Sequence, residues 1–343
     1  DLGQTKYTPI AGTITLRDAI IAKFKRDNNV VYERDEVTVG NGGKQIIFNA
    51  FMASLNPEDE VIIPAPYWVS YPDMTILAGG KPVIVNTKSE NNFLLSKEEL
   101  ENAITPNTKW VIINSPSNPT GYAYNKKALE DLIYVIRKHK NVNIMSDDIY
   151  EHLVYDGFKF YSPITLAPDL KDRILTINGV SKAYSMTGWR IGYAGGNKDL
   201  IKAMNKIQSQ TTSNASSISQ AAAATALNGD QSFLDEFNQN FARRRDYVVR
   251  ELNNIPGISV TIPNGAFYVF ASCEGIIGKK SADGTIINNC TDFAKHLLEE
   301  QLIAIVPGVA FGMKNHFRIS YATSDENLKI SCKRIKEVCK SLS

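Results

Sequence analysis

The chain has 343 residues, which at roughly 150 per domain is room for about two domains, and 43% of them are apolar, enough for the cores of both. Lysine and arginine number 38 against 36 aspartates and glutamates, so the net charge of +2 excludes a whole-molecule field that would draw in nucleic acid or an acidic membrane surface. The apolar run Ala221 to Leu227 falls far short of the ~18 residues of a membrane span and the four cysteines form no C-x-x-C pair, so a cytoplasmic protein with free thiols is expected.

From Leu16 to Ala194 short apolar runs alternate with amphipathic stretches, the pattern of strands returning through helical crossovers into a largely parallel sheet. Val37 to Val39 reads as a strand, Gly40-Asn41-Gly42-Gly43 as a turn, and Ile46, Ile47, Ala50, Phe51, Ser54 and Leu55 then recur at helical spacing. Further strands are expected at Val61 to Ile63 and, past the Gly79-Gly80 break, at Val83 to Val85. Ser96-Lys97-Glu98-Glu99 is a capping box that opens another helix. Trp110 to Ile113, Val142 to Met145 and Ile174 to Ile177 are apolar runs followed by Asn114, Asp147 and Asn178. In open parallel sheets the ligand crevice lies beyond such strand ends. Past Asp199 the texture turns helical, with Ala221 to Ala226 and Phe241 to Leu252. Strand-like runs follow at Ala266 to Ala271, Ile303 to Val306 and Phe317 to Ser320, and a last helix from about Glu326 to Ser341. Gly278 to Gly284 reads as an exposed loop. Arg243-Arg244-Arg245 lies near Asp235, Glu236, Asp246 and Glu251 and reads as a solvated or interdomain helix face, and the four histidines form no ligand pattern.

The segment Asn178 to Tyr193 carries the most chemistry. Lys182 follows a strand and is ringed by small and hydroxyl residues, where desolvation lowers a lysine's pKa and makes it a nucleophile able to form a Schiff base. Taken alone it reads as a solvated surface lysine. Arg190, eight residues on, is placed to fold back onto a phosphate. As a whole, N-G-V-S-K-A-Y-S-M-T-G-W-R-I-G-Y resembles the pyridoxal-phosphate lysine signature of the class I aminotransferases. The resemblance extends over nearly the entire chain, from Tyr7-Thr8-Pro9 through the helix after Arg318.

The resemblance implies an α/β fold of the type I pyridoxal-phosphate transferases. A large cofactor-binding domain would span residues 1–232 around a mostly parallel sheet, and a smaller α+β C-terminal domain residues 233–343. A further N-terminal stretch of the small domain is implied that this sequence does not include. Pyridoxal 5'-phosphate is an electron sink only while its ring nitrogen is protonated, so a buried carboxylate must pair with that nitrogen. Asp147, in Met145-Ser146-Asp147-Asp148-Ile149-Tyr150, is the candidate; alone it reads equally as a helix cap. Tyr150, and Asn118 of the Asn118-Pro119-Thr120-Gly121 loop, are implied partners of the ring's phenolic oxygen, Asn118 also reaching the substrate carboxylate. Alone they read as core and as turn. Trp68, after Pro64-Ala65-Pro66-Tyr67, is implied to stack on the ring.

Gly42-Gly43-Lys44 offers backbone N–H groups at the positive end of a helix, an anion cradle in its own right. It is no P-loop, because Gln45 follows Lys44, and no dinucleotide fingerprint, because the third glycine is missing. By resemblance it is the phosphate turn, completed by Ser181 and Arg190 from the same chain and by Tyr7 from a partner chain, which implies a homodimer with shared active sites. Arg318 is implied to clamp the substrate α-carboxylate in a bidentate fork; alone it reads as an outward residue of an alternating strand. The stretch Gln208 to Asn214 holds no arginine for a distal carboxylate, and Lys44 replaces it in the bacterial aspartate (aspartate/prephenate) subgroup that this sequence resembles. The implied function is transamination between L-aspartate and 2-oxoglutarate, with prephenate use left open by these residues. Other pyridoxal-phosphate chemistry such as β-elimination, and a non-catalytic cofactor-binding module, are the alternatives. No metal, nucleic-acid or membrane partner is expected.

Overall fold

A computed structural model describes residue 3, residues 5–281 and residues 284–343. In chain order its elements are α1 (Ile14–Asn28), β1 (Val37–Asn41), α2 (Gly43–Ser54), β2 (Glu60–Ala65), α3 (Ser70–Leu77), β3 (Lys81–Asn86), α4 (Lys97–Ala103), β4 (Thr108–Asn114), α5 (Lys126–Lys138), β5 (Asn143–Asp147), α6 (Pro163–Leu166), β6 (Ile174–Gly179), β7 (Ile191–Gly195), α7 (Lys198–Thr211), α8 (Ser217–Asn228), α9 (Phe233–Asn253), β8 (Tyr268–Ser272), α10 (Cys290–Gln301), β9 (Val306–Pro307), β10 (His316–Ser320) and α11 (Asp325–Ser341). The first seven strands form one sheet in the order β1-β7-β6-β5-β4-β2-β3. Neighbours from β3 through β6 pair parallel, and β7 alone runs against both of its neighbours.

Side chains alternate across this sheet as the pleat demands. Val111, Ile113, Ile144 and Ile174 pack with Leu16, Ile20 and Phe24 of α1, Leu129 and Leu132 of α5 and Leu227 of α8. Their neighbours Trp110, Ile112, Met145 and Leu175 face the other way, onto Ile46 and Phe51 of α2, Tyr71 of α3 and Ile201 of α7. Burial on both faces explains why these strands read as mostly apolar runs without strict alternation. The predicted capping box opens α4: Ser96 Oγ accepts from the Glu99 N–H while the Glu99 carboxylate accepts from the Ser96 N–H.

A second, three-stranded antiparallel sheet, β8-β10-β9, packs with α9, α10 and α11 around Val269, Phe293, Phe317 and Ile335. All four cysteines are buried and free, and burial pushes the Cys273 and Cys339 thiols up to about 12. No helix among the described residues is long and apolar enough to cross a membrane.

Three expectations need correction. The strand expected from Ala266 begins at Tyr268, because Ala266 sits in the left-handed region (φ 55°). The run from Ile303 pairs only at Val306 and Pro307, since Leu302, also left-handed, ends α10 and turns the chain. The arginine run is not uniformly solvated: Arg243 and Arg244 donate to Asp325, but Arg245 is 2% exposed, paired with Asp156 and Asp246 and lying 5.2 Å from the centre of the Tyr155 ring. Within the expected loop at Gly278 to Gly284, Ala282 and Asp283 lie outside the described residues.

Candidate active site

The central strands end together. Asn114 of β4 stands beside Asp147 of β5, which stands beside Ile177 of β6. A cavity of about 250 Å³ opens beyond these ends, and Lys44, Trp68, Asn118, Asp147, Tyr150, Ser181, Lys182 and Arg190 all line it. Residues singled out over 146 positions of sequence thus meet in one place, as a parallel sheet's strand ends require.

At one end is an anion cradle. Gly42 caps α2 with φ 84°, and Gly43 and Lys44 begin the helix, so their N–H groups lie at its positive end. Arg190, left-handed at φ 54°, donates to the Thr187 carbonyl at 3.0 Å and to the Asn41 carbonyl at 3.3 Å. A Cβ on Gly42 would overlap this guanidinium, and one on Gly192 would overlap the Gly42–Gly43 backbone. Glycine at both positions is what lets Arg190 and β7 close on the helix start.

At the other end Asp147 is buried, with Tyr71 Oη donating to its Oδ2 at 2.6 Å. Burial raises its carboxyl pKa against the lowering effects of that bond, the Ile149 N–H and the Lys182 charge. Tyr150 is buried and shares a 2.9 Å bond with the Tyr268 hydroxyl; burial and that neighbour raise its phenol well above the ordinary range. Between the two ends Lys182 is half-buried, its Nζ 5.7 Å from the Tyr150 ring centre and 5.5 Å from that of Phe267. Burial lowers its pKa, and the Arg318 and Arg190 charges add to this against Asp147. Trp68 stands edge-on to Tyr71 at 5.2 Å, with Lys44 Nζ 5.1 Å from its ring centre.

Arg318 comes from the second sheet. Its Nη1 donates to Asn118 Oδ1 at 2.7 Å, and its guanidinium lies 4.5 Å from the Tyr268 ring centre and 5.1 Å from that of Phe311. Its Nε is buried without a hydrogen-bond partner, and no described carboxylate pairs with it. A planar cation so held is suited to a carboxylate ligand. Tyr7 stands apart from this group: it is 92% exposed and borders a separate groove with Thr13 and Ala221.

Tyr71 and Tyr268 escape a reading by motif. Tyr71 lies three positions past Trp68, one helical face on, which is a usable signal. Tyr268 has none, because its role arises from the sheet pairing that sets it across from Ser320.

A buried aspartate beside these groups titrates unusually. Desolvation and the Glu151 charge push Asp148 up to about 7 although Ser146 and Ser162 donate to it. Folded chain therefore holds a proton that unfolded chain releases near pH 4, so this group's stabilising contribution is present at low pH and is lost as pH rises through 7. Asp148→Asn is expected to flatten the fall in unfolding free energy between pH 4 and 7 by on the order of 3 kcal/mol, measured by urea denaturation at several pH values. An unchanged slope would place that titration elsewhere.

The chain belongs to the aminotransferase class I and II family, whose model matches residues 3–335 and so spans every residue that lines this cavity. It is an aminotransferase, and pyridoxal phosphate is its cofactor. The chemistry of the donor set fits that group: backbone N–H groups and Arg190 suit an anion, and a buried carboxylate and an amine of lowered pKa stand in the same cavity. Similar proteins include a probable aspartate/prephenate aminotransferase of Rickettsia bellii, 58% identical over 99% of this chain and 85% of that one. The crystal structure of the aspartate aminotransferase from Rhizobium meliloti superimposes with a TM-score of 0.97 at 55% identity, covering 99% of this chain and 85% of that chain. The Thermus thermophilus aspartate aminotransferase with maleate gives 0.91 at 42% identity, over 98% and 84%.

Proposed function

We propose that the enzyme transfers the amino group of L-aspartate to 2-oxoglutarate, giving oxaloacetate and L-glutamate. The observation that carries this reading is a second cation, Lys44, on the cavity wall beside Trp68, apart from the Arg318–Asn118 pair. A dicarboxylic amino acid has one carboxylate for each. The names of the relatives, and maleate on the Thermus thermophilus protein, support the same class.

Bound pyridoxal phosphate withdraws electrons from the carbon that carries the amino group, so that its proton can leave. The Gly42–Gly43 turn, Lys44 N–H, Ser181 and Arg190 would hold the phosphate, and Trp68 would cover the ring face. Asp147, fixed by Tyr71, would keep a proton on the pyridine nitrogen, and Asn118 and Tyr150 would serve the phenolic oxygen. Lys182, whose charged form burial disfavours, would take the Cα proton. Arg318 orients the α-carboxylate. The reading includes a homodimer in which exposed Tyr7 serves the partner's phosphate cup, a cytoplasmic location, and a division near residue 233, supported by the cluster around Val269, Phe293 and Phe317, which apart from Tyr155 draws its buried residues from beyond that point. Prephenate, whose ring carboxylate suits the same Lys44 cation, is included as a second amino acceptor.

Single-turnover absorbance of the cofactor-loaded enzyme with aspartate, glutamate, arogenate, alanine and phenylalanine tests this reading. Aspartate is expected to react fastest. Lys44→Ala should lower the efficiency with aspartate by about 10- to 100-fold, the worth of one charge-assisted bond, and leave alanine within about twofold. Equal losses for both donors would remove Lys44 from substrate recognition.

A further inference from the structure

Behind the site lies a buried polar group that the chemistry above does not use. Lys23 of α1 is 1% exposed and forms an ion pair with Glu151, itself 4% exposed. Lys23 Nζ also donates to Asn28 Oδ1 at 2.7 Å, and Asn28 Nδ2 donates to Glu151 Oε2 at 2.8 Å. The other carboxylate oxygen, Oε1, accepts from Asn178 Nδ2 at 2.7 Å, and Asn178 Oδ1 accepts the Gly179 N–H at 2.7 Å. Glu151 follows Tyr150 directly, and Asn178 and Gly179 stand four and three residues ahead of Lys182. Past the last backbone bond of the β5–β6 pairing, from the Asp148 N–H to the Ile177 carbonyl, the two segments that carry Asp147, Tyr150 and Lys182 are therefore joined by a carboxylate–amide bond.

We propose that Glu151, anchored by Lys23 and Asn28, and Asn178 form a polar tether that sets the Lys182 loop against the Asp147–Tyr150 turn, making both of them positioning residues. The proposal rests on Lys182 being the reactive amine. An ion pair at this depth costs several kcal/mol of desolvation per charge, and apolar residues of similar volume often match it in stability. What apolar residues cannot supply is an acceptor aimed at Asn178. Packing on the same line agrees: a Cβ on Gly179 would come within 2.8 Å of the Ile191 carbonyl and 3.1 Å of Ile149 Cδ1, so the loop rests directly on the turn that holds Asp147. With the tether cut, the loop can relax toward solvent, and the Lys182 amine gains hydration that favours its protonated form.

Two double variants separate tether from charge. Lys23→Met with Glu151→Gln removes both charges but keeps an acceptor for Asn178, and the freed Asn28 oxygen can take the new amide N–H. Lys23→Met with Glu151→Leu removes the acceptor as well. The probe is acetic anhydride labelling of the full chain purified without cofactor, across pH 6 to 11, with the Lys182 peptide quantified by mass spectrometry against other lysines. Wild type and the Gln variant are expected to share a midpoint below that of ordinary lysines. The Leu variant should titrate about half a pH unit higher and label about threefold more slowly near neutral pH. Asn178→Ala, which leaves the ion pair in place, should show the same shift and stands in if the Leu variant does not fold. Coincident profiles for the Gln and Leu variants, or a wild-type midpoint for Asn178→Ala, would overturn the tether. A wild-type Lys182 that titrates like an exposed lysine would instead overturn the reading of Lys182 itself.

Discussion

Lys182→Ala is expected to slow the amino-donor half-reaction on the order of 10⁴-fold, the upper range for losing a positioned acid–base group. The lysine stands where burial and two arginines disfavour its charge, so at neutral pH it is more readily a base than a surface lysine is. The fold should survive the change. A lysine whose pKa is lowered on folding opposes stability below that pKa, because the unfolded chain binds its proton more tightly, and alanine removes this cost. Stopped-flow absorbance with aspartate measures the rate. Borohydride reduction of the loaded wild type followed by peptide mapping locates the attached cofactor. Turnover within tenfold of wild type, or a label on another lysine, would displace Lys182 from the centre of the site.

The second large effect is expected at Asp147. Asp147→Asn keeps the shape and an acceptor for the Tyr71 hydroxyl, but removes the charge proposed to hold a proton on the pyridine nitrogen. Losing one partner of a buried pair costs about 3–5 kcal/mol, which corresponds to roughly 10²- to 10⁴-fold in rate. The same stopped-flow assay, with cofactor retention measured after gel filtration, checks it. A near-wild-type rate would show that the carboxylate is not the proton-holding group.

Much of this was legible in the sequence, and the reasons differ by element. Strands β4, β5 and β6 are covered on both faces, so their burial is written as mostly apolar runs that lead to Asn114, Asp147 and Asn178. β7 is not written that way. Gly192 and Gly195 remove the apolar signal, Gly192 because a side chain would strike the Gly42–Gly43 backbone and Gly195 because Tyr32 lies over it. Lys182, Asp147 and Arg190 could be read locally, since each sits in a short motif. Tyr268 and the bond between Arg318 and Asn118 could not, the latter joining residues 200 positions apart. Arg245 shows the limit of charge runs: three adjacent arginines look alike in sequence, and only the approach of Asp156 and Tyr155 distinguishes the buried one.

The Arg318–Asn118 bond has a mechanical side. Asn118 belongs to the body built on the seven-stranded sheet and Arg318 to the body built on the three-stranded one, so the bond crosses the joint between them. A substrate carboxylate seated there, as proposed above, would become part of that joint, and the energy of gripping the amino acid would then be coupled to the alignment of the two sheets.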